Sequence, residues 1–142
     1  MDKVTQISIF AENKLGKMEK VTKVFSDAKI NILAISITST NAFGIIKLMV
    51  DKPELALEKL KEDGFTVSLT EVLAIEMTDQ PGGLHDVVHI LAQNNVNIEN
   101  ASVYVAESRK SAYLLVEVKD IENAKRVLEN VGLKFYSRKE AK

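Results

Sequence analysis

No cysteine occurs in the 142 residues. Disulfides, zinc–thiolate sites, thiol catalysis and redox sensing are therefore excluded. Neither sign of charge is in excess: 19 Lys and Arg against 20 Asp and Glu leave a net charge of −1. Nucleic-acid and anionic-membrane binding normally show as a basic excess, so neither partner is expected. No apolar run approaches the ~18 residues needed to cross a bilayer. The opening Met1-Asp2-Lys3-Val4 lacks the apolar core of a signal peptide, and the expected location is the cytoplasm. There is no Gly-x-Gly-x-x-Gly and no phosphate loop, and two histidines offer no Ser-His-Asp set. Aromatic residues are few, and Phe10, Tyr104 and Tyr113 have no basic surround of the kind that binds RNA on a sheet. The expectation is a protein that is not an enzyme and carries no cofactor.

What is present is written twice. Ile9 falls on Ile75, Gly16 on Gly82, Met18 on Leu84, Val21 on Val87, Phe25 on Leu91 and Asn31 on Asn97, each pair 66 positions apart. Further on the shift is 68, matching Ala56 to Ala124, Leu60 to Leu128 and Gly64 to Gly132. A period of this length is too long for a solenoid and right for a small domain. We expect domain 1 over residues 1–70 and domain 2 over 71–142, the latter with a polar tail from Ser137. Phe65 to Thr78 contains neither Gly nor Pro, so no linker is expected between them.

Each module predicts the order β-α-β-β-α-β. In the first, Ile7 and Ile9 alternate on a strand, and Met18, Val21, Val24, Phe25 and Ala28 recur at helical spacing over Lys17 to Lys29. β-branched Ile30 to Thr40 forms a second strand, Asn41-Ala42-Phe43-Gly44 a hairpin connection and Ile45 to Val50 a third strand. A helix from Pro53 to Asp63-Gly64 and a strand over Phe65 to Leu69 complete it. The second module predicts a strand through Leu73, Ile75 and Met77, then a helix over Leu84 to Asn94 with Leu84, Val87, Val88, Leu91 and Ala92 on one side. Strands over Val96 to Ala106 and Ser111 to Val118, a helix over Ile121 to Val131 and a strand over Leu133 to Tyr136 follow. This order is the split β-α-β, ferredoxin-like arrangement: α+β, with an antiparallel sheet and both helices on one face. The third strands are apolar on both faces, so the helix-free face should be covered by the sister module or a second chain.

The turn after the first strand is the main candidate for chemistry. In module two it is Asp79-Gln80-Pro81-Gly82-Gly83-Leu84, followed at once by a helix N-terminus. Free N–H groups there favour a carboxylate, and an acid or amide nearby would take an ammonium group. Asn31 and Asn97 each follow the glycine by fifteen residues and can serve either end of an amino acid. A turn of purely structural use is the alternative, because Pro-Gly ahead of a helix is common. His85-Asp86-Val87-Val88-His89 mimics a zinc-protease spacing. Asp stands where the catalytic Glu belongs, no third ligand is evident, and the histidines overlie Glu19 and Lys23. We read a solvated helix face with no metal site.

The element order, Asp79-Gln80-Pro81-Gly82-Gly83-Leu84 and Asn97 resemble the ACT domain family, amino-acid-binding modules attached to many metabolic enzymes. Module one resembles it through Asn13-Lys14-Leu15-Gly16-Lys17-Met18 and Asn31, with Leu15 in place of the proline. The whole chain is most similar to stand-alone tandem ACT proteins. The resemblance implies domains paired side by side through their sheets, as in a homodimer, with ligands at the interface. It implies ligand contacts from Asn13, Leu15, Gly16, Lys17, Met18 and Asn31, and from Asp79, Pro81, Gly82, Gly83, Leu84 and Asn97. A histidine that serves serine-sensing members falls on Ala11 and Met77, so that contact is missing here. The function expected is a sensor that binds a free amino acid and signals to a metabolic enzyme. The alternative is a ligand-free scaffold that docks an enzyme through its sheet, loosely like the small subunit of acetolactate synthase.

Overall fold

The computed structural model describes residues 4–12, 14–40, 42–107 and 111–136. The ten elements follow the expected order with two strands fewer. They are β1 (Val4–Glu12), α1 (Lys17–Asp27), β2 (Ile32–Thr40), β3 (Phe43–Val50), α2 (Pro53–Glu62), β4 (Thr66–Thr78), α3 (Gly83–Gln93), β5 (Asn100–Glu107), β6 (Ser111–Glu117) and α4 (Ile121–Asn130). The chain divides into two compact units. An N-terminal one covers Thr5–Thr70, and a C-terminal one is built from Glu71 onward together with Val4 at the start of β1. Two strands expected on either side of residue 70 are one uninterrupted strand, β4, whose 13 residues belong partly to each unit.

In the N-terminal unit the strand order is β2-β3-β1-β4. β3 pairs antiparallel with β1 and with β2, setting Ile7 opposite Leu48, Ile9 opposite Ile46 and Ile37 opposite Ile46. Ile7, Ile9, Ile46 and Leu48 form one core with Val21 and Phe25 of α1 and Ala56 and Leu60 of α2, so both helices cover the same face of the sheet. Helical spacing put Val21 and Phe25 inward, and both are fully buried. The hairpin between β2 and β3 is tighter than expected. Thr40 pairs with Phe43, and Phe43 and Gly44 lie within β3. Asn41 of that connection lies outside the described residues.

The C-terminal unit repeats the plan with the order β4-β6-β5. Leu73 and Ile75 of β4 and Leu114 and Val116 of β6 pack with Val87 and Leu91 of α3 and Ala124 and Leu128 of α4. Two expectations need correction. The strand over Leu133 to Tyr136 is reduced to a single bridge, Ile75 to Phe135, flanked by Glu76 N–H to the Lys134 carbonyl (2.8 Å) and Tyr136 N–H to the Ala74 carbonyl (2.9 Å). β5 begins at Asn100 rather than Val96. Val96 and Ile98 are apolar because they pack on the core, not because they lie in a strand. The polar tail from Ser137 and the loop residues Ser108, Arg109 and Lys110 lie outside the described residues.

Helix ends are repeated down to the hydrogen bond. α1 closes with Lys29 in the left-handed region and Ile30 N–H on the Phe25 carbonyl; α3 closes with Asn95 in the same conformation and Val96 N–H on the Leu91 carbonyl. Gly64 and Gly132 end α2 and α4 alike. On the helix-free side, Met49 of β3 and Tyr113 and Leu115 of β6 are 2–5% exposed, while Phe10 of β1 is 49% exposed. Tyr104 stacks on Tyr113, and Tyr136 meets both rings edge-on.

Candidate functional site

The two turns ahead of α1 and α3 share one backbone device. Gly16 (φ 87°) and Gly82 (φ 86°) both occupy the left-handed region as N-cap residues, and no side chain caps either helix. The first intrahelical bonds are Lys20 N–H to the Gly16 carbonyl (3.1 Å) and Asp86 N–H to the Gly82 carbonyl (3.0 Å). Lys17 N–H turns back to the Lys14 carbonyl and Gly83 N–H to the Gln80 carbonyl. The amides of Met18 and Glu19, and of Leu84 and His85, therefore stand at uncapped helix ends that attract a carboxylate.

The turns differ in how they close. A Cβ on Gly83 would run into the Thr78 carbonyl oxygen and come 2.7 Å from the Thr78 hydroxyl, so this position has room only for hydrogen. The matching residue in the N-terminal unit is Lys17, half-buried with a full side chain. There the turn is fixed by an ion pair instead, Lys14 Nζ to Glu12 Oε2 at 2.8 Å, both side chains solvent-facing. The hydrogen bond and the charge of Lys14 hold the Glu12 carboxyl below the ordinary carboxylate range, and Glu12 raises the Lys14 ammonium in return.

Leu15 projects fully into solvent and Met18 is half-buried against the core. Leu84 is 45% exposed, which corrects its expected place on the buried side of its helix. It sits on the first turn, where α3 overhangs the core formed by Val87 and Leu91. Pro81 and Gly82 are exposed. Asp79 is half-buried and already partnered. Asn13 lies outside the described residues.

Neither unit brings its own turn and its own asparagine together. Glu12, just ahead of the first turn, pairs with Phe43 at the start of β3. Asn31 lies beyond the other end of β3, where its N–H donates to Asp51 Oδ1 (2.9 Å) and its carbonyl accepts from Asp51 N–H (3.1 Å). The eight residues of β3 separate the two, about 23 Å of strand at a rise of ~3.3 Å per residue. In the C-terminal unit Thr78 pairs with Ser111, while Asn97 precedes Glu99, whose N–H donates to the Glu117 carbonyl at the far end of β6. Both asparagines are exposed. The cause is the element order: α1 carries the chain back along the sheet before β2 begins.

Sequence reasoning missed a second repeated feature. Ile35 and Ile37 on β2, and Val103 and Val105 on β5, are 42–52% exposed. They lie opposite core residues of β3 and β6, on the helix side of the sheet. The 68-residue shift superposes them and was the available signal. A groove of about 370 Å³ between α1 and α2 holds none of the predicted residues, and its charges are largely paired, Lys23 with Asp27 and Lys59 with Glu62. Among the described residues no group of three or more His, Asp or Glu side chains could hold a metal ion, and no helix is long and apolar enough to cross a membrane.

The chain as a whole has counterparts among solved structures. The chain is similar to protein BT0572 from Bacteroides thetaiotaomicron, with 28% identity and a TM-score of 0.89 over 98% of this chain and 95% of that one. It is also similar in fold to the ligand-free regulatory subunit of aspartate kinase from Thermus thermophilus (19% identity, TM-score 0.66, 93% and 94% covered). The regulatory subunit of aspartate kinase from Thermus flavus is a further match in fold (17%, TM-score 0.61, 92% of each chain). No curated protein sequence matches. A family model described as an ACT domain pair matches residues 2–142, and the chain belongs to that family.

Proposed function

We propose that the chain is a non-catalytic regulatory protein that binds a free amino acid at its uncapped helix N-termini and passes the bound state to a partner enzyme. The observation that carries this reading is the repetition of one device, the left-handed Gly16 and Gly82 each opening a helix that no side chain caps. Such an end favours a carboxylate by ~0.3–1 kcal/mol, and by up to ~2 kcal/mol when partly buried. The likeness to aspartate kinase regulatory subunits supports a regulatory role and a metabolic enzyme as the partner.

Because Asn31 stands away from the turn of its own unit, the amide that completes the receptor comes from a second copy of the chain. β2 is an edge strand whose Ile35 and Ile37 face solvent, a surface suited to pairing with its own copy. An antiparallel β2–β2 contact sets Asn31 of the second copy at the end of the sheet where Gly16 lies. β5, with Val103 and Val105, offers the same edge in the C-terminal unit. Ligand and dimer are then linked, with an expected coupling of roughly 1–3 kcal/mol.

The test is a calorimetric and thermal-shift screen of the twenty amino acids, repeated with Asn31→Ala and Asn97→Ala. Both side chains are exposed, so folding is unaffected. The expected result is a saturating ligand that at least one variant loses, together with a dimer in sedimentation. Silence across the panel from folded protein overturns the sensor. It would leave the second reading, a constitutive scaffold, which the solvent-facing Ile35, Ile37, Val103 and Val105 favour.

A further inference from the structure

The two histidines of the chain stand one helical turn apart on α3, and their side chains take no part in the reading above. Their spacing alone describes a solvated face; the ring geometry adds to it. We propose that His85 and His89 together seat one divalent transition-metal ion. Both residues are exposed, and their ring centroids lie 5.8 Å apart with the planes inclined at 31°. An imidazole nitrogen binds such an ion at ~2.0–2.1 Å, so two rings sharing it have centroids between about 5 Å (tetrahedral) and about 6.4 Å (linear) apart. The observed separation falls inside that window.

Three further observations support the assignment. The pair stands on a rigid support, since the opposite side of α3 is anchored by buried Val87 and Leu91. The fold does not demand histidine at these positions. The N-terminal unit has Glu19 and Lys23 there, and Lys23 is engaged with Asp27 at 3.2 Å. Paired neutral imidazoles suit copper, nickel and zinc rather than magnesium or calcium. Among the described residues no third protein ligand joins them. Water fills the remaining positions, and the ion is exchangeable rather than structural.

The experiment titrates the full chain, freed of metal, with copper(II), nickel(II) and zinc chlorides in a calorimeter, and follows thermal unfolding in parallel. One ion per chain is expected, with copper(II) bound most tightly of the three. His85→Ala and His89→Ala should each weaken binding at least tenfold, with His85→Gln and His89→Gln as replacements should either alanine variant lose its helical signal. Lys23→Ala should leave binding unchanged. The ion should also raise Tm in the parent chain and not in the histidine variants, because the two rings are held at this spacing only in the folded helix. Absence of saturable binding overturns the proposal, as does binding that survives either single histidine replacement at full strength. The outcome is independent of the amino-acid screen, since neither asparagine varied there takes part.

Discussion

The turn ahead of α1 and the turn ahead of α3 hold a glycine at the same backbone angle, yet they are locked by different means. Gln80-Pro81-Gly82-Gly83 closes onto its own strand, with Gly83 against the Thr78 carbonyl. Lys14-Leu15-Gly16-Lys17 stays open. A surface ion pair to Glu12 steadies it, and Leu15 stands clear of the protein. The part common to both, an uncapped helix end behind a left-handed glycine, is the part a carboxylate would use. The part that differs sets rigidity. The C-terminal turn leaves no room for a side chain at Gly83, whereas the N-terminal turn carries an exposed ion pair that salt screens.

The comparison is broken most sharply at its tightest point. Gly83→Ala places a methyl group where backbone already stands, so the C-terminal unit should lose about 1–3 kcal/mol in urea unfolding. Lys17→Ala, at the matching position, should stay within about 0.5 kcal/mol. Equal losses would mean the turns are equivalent after all. A smaller effect separates the far ends of the same helices. Lys29 and Asn95 both sit at positive φ, and asparagine tolerates that region better than lysine. Lys29→Gly should therefore stabilise the protein by roughly 0.5 kcal/mol, the relief of left-handed strain exceeding the added freedom of the unfolded chain. Asn95→Gly should gain less.

The smallest effect concerns protonation. Lys14 holds the Glu12 carboxyl low, so this carboxylate favours the folded state above its ordinary titration range. The contribution fades as pH falls through the lowered folded value. Lys14→Ala should return Glu12 to the ordinary range in an NMR titration and barely move stability, because both groups are solvent-facing.

Much of this was legible beforehand, for a physical reason. Core positions repeat because both units bury the same rungs: Ile9 and Ile75, Phe25 and Leu91, and Leu60 and Leu128 are all buried. The turn glycines were legible because few residues accept positive φ. Val96 and Ile98 misled, since β-branched residues that pack on a core beside a helix end resemble a strand. Leu84 misled because helical spacing does not show where a first turn overhangs its sheet. The separation of each asparagine from its turn was implicit in the β-α-β order, yet equal sequence spacing suggested proximity. The steric demand on Gly83 left no trace beyond a doubled glycine, because it depends on where the Thr78 carbonyl lies.

The central claim is that a zwitterionic metabolite docks its carboxylate on the amides of these two helix ends. The direct measurement is an amide NMR titration of the labelled chain with whichever amino acid binds in the screen. Saturable shifts at Met18 and Glu19, at Leu84 and His85, or at both pairs are predicted. A ligand that binds while all four amides stay still would contradict the account.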